Sequence, residues 1–167
     1  MVERRLLSVA DCLAGRDLTE PRLSPDGSVV ALCVTEAGET HLVLVPLDGG
    51  AERRLSPWPI RGGRGVFGGS LEWLHDGSAV LGVSASGELW AFPVDGRDPH
   101  RLMGLVDGRA ISSPIVSPEG DAIACVVDQS EVHVLTLDGS SSRVDRGAHA
   151  FVSDVVWWNG RSVWVGW

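Results

Sequence analysis

The sequence predicts an all-β chain of β-propeller blades, each with four antiparallel strands, and three observations predict it. First, a turn phrase recurs, as "RLSPDGSVVALCV" at 22–34, "EWLHDGSAVLGVS" at 72–84 and "PIVSPEGDAIACV" at 114–126. Second, with "VVWWNGRSVWVGW" as a fourth unit, the turn glycines Gly27, Gly77, Gly120 and Gly160 lie 50, 43 and 40 residues apart, which is the period of propeller blades. Third, a later turn follows each of the first three, at Asp48-Gly49, Asp95-Gly96 and Asp138-Gly139, of the kind that joins short antiparallel strands.

The elements follow in order. "RLLSVADCLAG" spaces Leu6, Leu7, Val9, Ala10, Leu13 and Ala14 as a short helix ending near Gly15, so residues 1–19 are expected as a helical lead-in and 20–167 as a partial propeller. Blades are expected over about 20–60, 70–104 and 113–147, with an incomplete one over 153–167. In the first unit "SVVALCV" and "THLVLVPL" read as strands; in the second "SAVLGVS" and "GELWAFPV"; in the third "DAIACVV" and "EVHVLTL". A continuously apolar strand must be covered on both faces, which suits blades stacked on one another. The alternation in "EVHVLTL" predicts a strand nearer the surface. "AERRLSP", "RDPHRLMG" and "SSRVDRG" supply the fourth, outer strands.

Composition narrows the function classes. The 167 residues carry a net charge of −8, and all 14 basic residues are Arg, scattered singly or in pairs among more numerous carboxylates. No basic patch emerges, so nucleic acid is not an expected partner. No stretch reaches the roughly 20 apolar residues of a membrane span, and Ser8, Asp11 and Arg16 break up the N-terminus where a signal peptide would need an apolar run. A cytoplasmic location with no membrane association is the expectation. Cys12, Cys33 and Cys125 show no C-x-x-C spacing and read as structural thiols.

The search for chemistry assigns no catalytic, cofactor-binding or metal-binding residue, and no cofactor. "GRGVFG" at 63–68 matches G-x-G-x-x-G, but a strand and turn follow it where a dinucleotide site needs a helix. His41, His75, His100, His133 and His149 lie far apart, without an i, i+4 pair. His75 stands where other units have Pro and reads as turn chemistry, and Asp26, Asp76 and Glu119 beside the turn glycines read as acceptors for turn amides. Trp73 and Trp157, at matching positions before their turns, read as packing between blades. Trp158, Trp164 and Trp167 are candidates for a ligand platform, weighed against a core role, and Arg61 and Arg64 lie on a loop that opens onto a blade face.

"EPRLSPDGSVVAL", followed by "LVLVPLDGGAERRLSP", resembles the first blade of the N-terminal propeller of prolyl-oligopeptidase-family serine peptidases, particularly the acylaminoacyl-peptidase-like branch. The "SPDG" phrase is shared with TolB-like propellers, and "LHDG" and "NG" depart from it in the second and fourth units. The resemblance implies a propeller that gates short peptides toward an α/β-hydrolase domain carrying a G-x-S-x-G serine. No G-x-S-x-G occurs here: "GVSASG" and "GRSVW" lack the second glycine in register. The chain is therefore expected to be a fragment with open sheet faces, prone to homo-oligomerise, inactive on peptides alone, and to meet short peptide substrates only through a hydrolase domain outside it. The alternative expectation is a non-catalytic TolB-like propeller that binds a protein or small ligand.

Overall fold

The computed structural model describes residues 15–62, 69–137, 141–143, 152, 154–158 and 162–166, and among these there is no helix. The first sheet runs β1 (Asp17–Leu23), β2 (Val29–Glu36), β3 (Glu39–Pro46) and β4 (Arg53–Arg54), in sequence order across the sheet. The second repeats this order with β5 (Leu71–Trp73), β6 (Ala79–Val83), β7 (Leu89–Pro93) and β8 (His100–Met103). The third does so with β9 (Ile111–Val116), β10 (Ala122–Val127), β11 (Glu131–Thr136) and β12 (Ser141–Arg143). A hairpin of β13 (Asp154–Trp158) and β14 (Ser162–Gly166) follows. Every pairing is antiparallel, as short turn connections require. β1 starts at Asp17, inside the expected lead-in, while the helix expected before Gly15 lies outside the described residues.

The core sits between sheets. Ala31, Cys33, Leu42 and Leu44 of the first sheet meet Leu71, Trp73, Val80 and Phe92 of the second. The opposite face of the second, through Leu81, Val83, Leu89 and Ala91, meets Ile111, Ile123, Cys125 and Val127 of the third. Ala124, Val126 and Val132 in turn pack against Val155 of the hairpin. β6 and β10 are buried at every residue because each is sandwiched on both faces, which is why their sequences lack polar alternation. At about 1.5–3 kcal/mol for each large side chain removed from water, these layers dominate the stability.

The alternation in β11 marks a strand nearer the surface than the fully buried β10, and half of its residues are partly exposed. His133 and Val132 are nonetheless buried within it, and the imidazole is satisfied by the Glu131 carboxylate at 3.1 Å.

The first strands β1, β5 and β9 lie side by side, and the junctions between them are pinned at repeating positions. Glu20 and Ser113, each seven residues before its turn glycine, hold left-handed φ values of 54° and 50° at bulges in their strands. Such a backbone costs on the order of 1–3 kcal/mol outside glycine and persists only when neighbours over-determine it. The neighbours are specific: the Ser113 amide donates to the Gly69 carbonyl at 3.0 Å. Ser70, at the corresponding place in the second sheet, donates its amide to the Glu20 carboxylate. Its hydroxyl lies 2.7 Å from the Arg61 carbonyl and 3.0 Å from Glu20 Oε1.

Trp73 and Trp157 pack between sheets as expected and make the same further bond. The Trp73 indole N–H donates to the Arg22 carbonyl at 2.9 Å, and that of Trp157 to the Ile115 carbonyl at 3.0 Å. Arg22 and Ile115 are each five residues before their turn glycines, so one inter-sheet bond recurs two sheets apart.

Candidate functional site

The turns that link first and second strands build one face of the molecule. In the first, the Gly27 amide donates to the Ser24 carbonyl at 2.9 Å, and Gly27 takes the left-handed φ of 73° that this turn needs. Ser24 Oγ accepts from the Ser28 and Val29 amides and donates to Asp26 Oδ1 at 2.6 Å, while Asp26 Oδ1 also accepts from the Ser28 amide. The Ser24 hydroxyl first, then the Ser28 amide, lower the Asp26 carboxyl to about 2. Asp76 accepts from the Ser78 amide at 2.9 Å, and bonds from Ser78 likewise hold its carboxyl below the usual range.

The third turn departs from the expectation. Glu119 makes no hydrogen bond to the turn; Ser117 Oγ accepts from the Asp121 and Ala122 amides and donates to Asp121 Oδ1 at 2.8 Å. Glu119 sits in the loop as an exposed side chain, and the serine before the turn takes the role expected of it.

Successive turns also touch. A Cβ on Gly77 would lie 3.9 Å from Pro25 Cδ, and one on Gly120 would lie 3.8 Å from His75 Nδ1. His75 therefore does the job of a turn proline toward the next sheet, as its place in the repeat indicates.

Between the first two turns lies a cleft of about 620 Å³. Val29, Leu44, Trp73 and Val94 give it an apolar lining, and Asp26, His75, Asp76 and Arg53 stand around it as exposed polar groups. Arg53 Nη2 donates to the Val94 carbonyl at 2.5 Å, tying the outer strand of the first sheet to the second turn of the next. Both acids are held ionised by their own turns. The cleft can thus take a ligand that offers apolar surface to Trp73 and Val94 and polar groups to the rim.

Sequence reasoning missed a second repeat, at the start of each third strand: Glu39-Thr40-His41, Glu88-Leu89-Trp90 and Glu131-Val132-His133. The signal was the Glu-x-His/Trp spacing, which in a strand places both side chains on one face. His41 Nε2 lies 3.4 Å from Glu39 Oε2, with Nδ1 3.4 Å from Ser56 Oγ. Glu88 pairs with Arg101 at 2.7 Å, and both Glu131 oxygens engage Arg109, at 2.9 and 3.1 Å. These are local braces that tie third strands to neighbouring segments.

The remaining candidates divide. Cys33 and Cys125 are buried thiols, Cys33 with its Sγ 3.8 Å from Ser70 Oγ, and burial pushes Cys125 up to about 12, which removes it from thiolate chemistry. Arg61 is exposed, with its carbonyl on Ser70. No group of His, Cys, Asp and Glu among the described residues could hold a metal ion, and no helix among them is long and apolar enough to cross a membrane. "GRGVFG", Arg64, Cys12, His149, the Asp138-Gly139 and Asn159-Gly160 turns and Trp167 lie outside the described residues. Trp158 and Trp164 fall on β13 and β14.

No family model matches this chain, and no curated protein matches it in sequence. Solved structures do. TolB from Acinetobacter baumannii is similar with a TM-score of 0.64 at 17% identity, over 90% of this chain and 37% of that one. A protein described as a TolB from Agrobacterium tumefaciens is similar with a TM-score of 0.59 at 23% identity, over 75% of this chain and 45% of that one. An oligogalacturonate lyase in complex with manganese is similar with a TM-score of 0.59 at 10% identity, over 72% of this chain and 37% of that one. The chain spans less than half the length of each of these structures. The prolyl-oligopeptidase resemblance finds no counterpart among them; together with the repeated four-stranded sheets, they make this chain all-β, of the β-propeller fold.

Proposed function

We propose that this chain is the binding portion of a TolB-like propeller, with each four-stranded sheet as one blade and the hairpin as part of a fourth, and that it takes a protein segment or small ligand in the cleft between the first two turns. The observation that carries the reading is the cleft itself: about 620 Å³, apolar within and polar at the rim, at a junction between blades. The likeness to two proteins described as TolB supports the module type. The turn acids accept from serine hydroxyls and amides of their own turns, so recognition rests on shape and apolar contact more than on charge.

A screen of short peptides and small organic acids by thermal unfolding tests it. A ligand at 100 times its Kd stabilises by about 2.7 kcal/mol, and Val94→Trp, which fills the cleft without adding charge, is expected to remove that gain. Hits that stabilise Val94→Trp as well as the wild type would place binding elsewhere and defeat the proposal.

The phrase "EPRLSPDGSVVAL" favours a second reading, in which the propeller gates short peptides for a prolyl-oligopeptidase-family hydrolase domain. A reading frame that continues past Trp167 into a G-x-S-x-G elbow with later Asp and His decides for it.

A further inference from the structure

Outside the turn cleft, the rim between the first two sheets forms a second cleft of about 370 Å³, and its chemistry differs. Arg53 and Arg54 of β4 line one side, Arg97 and Asp98 the other, with Pro57, Pro93 and Pro99 as walls. Prolines offer no amide donors, so the donors available there come chiefly from guanidinium groups.

Those guanidinium groups are under-used. Arg16, Arg22, Arg97, Arg101 and Arg109 each sit within ion-pair distance of a carboxylate. Arg53 and Arg54 do not among the described residues; each spends one N–H on a carbonyl, of Val94 and of Ser56 respectively. A guanidinium carries five N–H donors in a rigid fork suited to carboxylates. In a chain of net charge −8, Arg53, Arg54 and Arg97 outnumber Asp98 in this cleft and leave its lining net positive. β4 also pairs only with β3, and no described strand covers its outer edge. Charge on an edge strand discourages nonspecific pairing, and a matched charge would turn that edge into a specific one.

We infer that this rim cleft docks an extended acidic segment of a partner protein, whose Asp or Glu side chains pair with Arg53 and Arg54 and whose backbone lies along the β4 edge. Arg53 also stands at the rim of the turn cleft, whereas Arg54, Arg97 and the three prolines line this cleft alone.

Fluorescence anisotropy with fluorescein-labelled hexaglutamate, and hexaglutamine as the neutral counterpart, tests it at low and physiological ionic strength. The wild type is expected to bind hexaglutamate, more weakly as salt rises, and not hexaglutamine. Arg53→Gln/Arg54→Gln, at exposed positions, is expected to weaken binding at least about tenfold. Arg16→Gln/Arg101→Gln removes the same charge elsewhere and is expected to stay within about twofold. No binding to the wild type, equal binding to the Arg53/Arg54 variant, or an equal loss in the control would overturn the assignment. Oligothymidylate binding as tightly as hexaglutamate, and lost with the same variant, would transfer the cleft to phosphate ligands and overturn the acidic peptide.

Discussion

Replacing Trp73 by Phe tests whether the sheets are bonded to one another or only packed. The indole is buried at 6% exposure among Ala31, Leu42, Leu44, Val80 and Phe92, and its N–H donates to the Arg22 carbonyl of the neighbouring sheet. Phenylalanine keeps a six-membered ring in the core but drops the pyrrole portion and the donor. The lost hydrogen bond, with a carbonyl left short of a partner, costs about 1–2 kcal/mol. The missing apolar area and the space it leaves add about 1 kcal/mol. The sum, about 2–3 kcal/mol, corresponds to a fall in Tm of about 4–12 °C for a chain of this size. Urea unfolding followed by far-ultraviolet circular dichroism measures it, with the slope against urea checking that both variants expose the same surface. A loss below about 0.5 kcal/mol would refute the inter-sheet bond as a structural tie.

Two further perturbations probe the turns. Nuclear magnetic resonance titration of Asp26 should show a carboxyl near 2, and Ser24→Ala should move it up toward 3.8, since the Ser24 hydroxyl is the largest cause of the shift. Because the folded value is depressed, the stabilisation from Asp26 is complete above pH about 4 and is lost as pH falls through about 2, so the unfolding midpoint should drop across that window and less so in Ser24→Ala; an unchanged pH profile would show that the hydroxyl does not hold the carboxylate. Gly87→Ala should destabilise by about 2–4 kcal/mol, because Gly87 holds φ 94° and an added Cβ would stand 2.9 Å from Ala110 Cα. A urea midpoint equal to the wild type would mean that the loop before β9 yields freely.

The sequence made the strands legible because the apolar runs are short and the turns between them carry Gly with Asp, Glu or Asn at fixed spacing. β2, β3, β6, β7, β10 and β11 fall on the segments that this pattern marks. What it hid was polar and long-range. Alternation in "EVHVLTL" cannot show that the His133 imidazole is buried and satisfied two residues away by Glu131. The Glu20 carboxylate meets Ser70 across 50 positions, and the left-handed backbone at Glu20 and Ser113 has no compositional sign, since neither residue is Gly. Glu119 was misread because the repeat aligned acids with acids, while the physical role passed to the Ser117 hydroxyl. The turn cleft is made of residues from five separate segments, which no local motif brings together.

The repeats and their departures divide the work between stability and recognition. Bonds that recur from sheet to sheet, such as the Trp73 and Trp157 indoles on first-strand carbonyls, set the distance and angle of each junction and so belong to the scaffold. In such a stack each unit couples mainly to its neighbours, so a change confined to one junction reshapes that junction and leaves the others in place. Two departures fall on the proposed clefts: Leu74 and His75 replace the Ser-Pro that opens the other two turns, and the adjacent Arg53 and Arg54 stand on an outer strand where the second sheet has His100 and Arg101. Arg101 spends its charge on Glu88, and Arg53 and Arg54 keep theirs. Both of these departures lie at the junction of the first two sheets, where the two proposed clefts open.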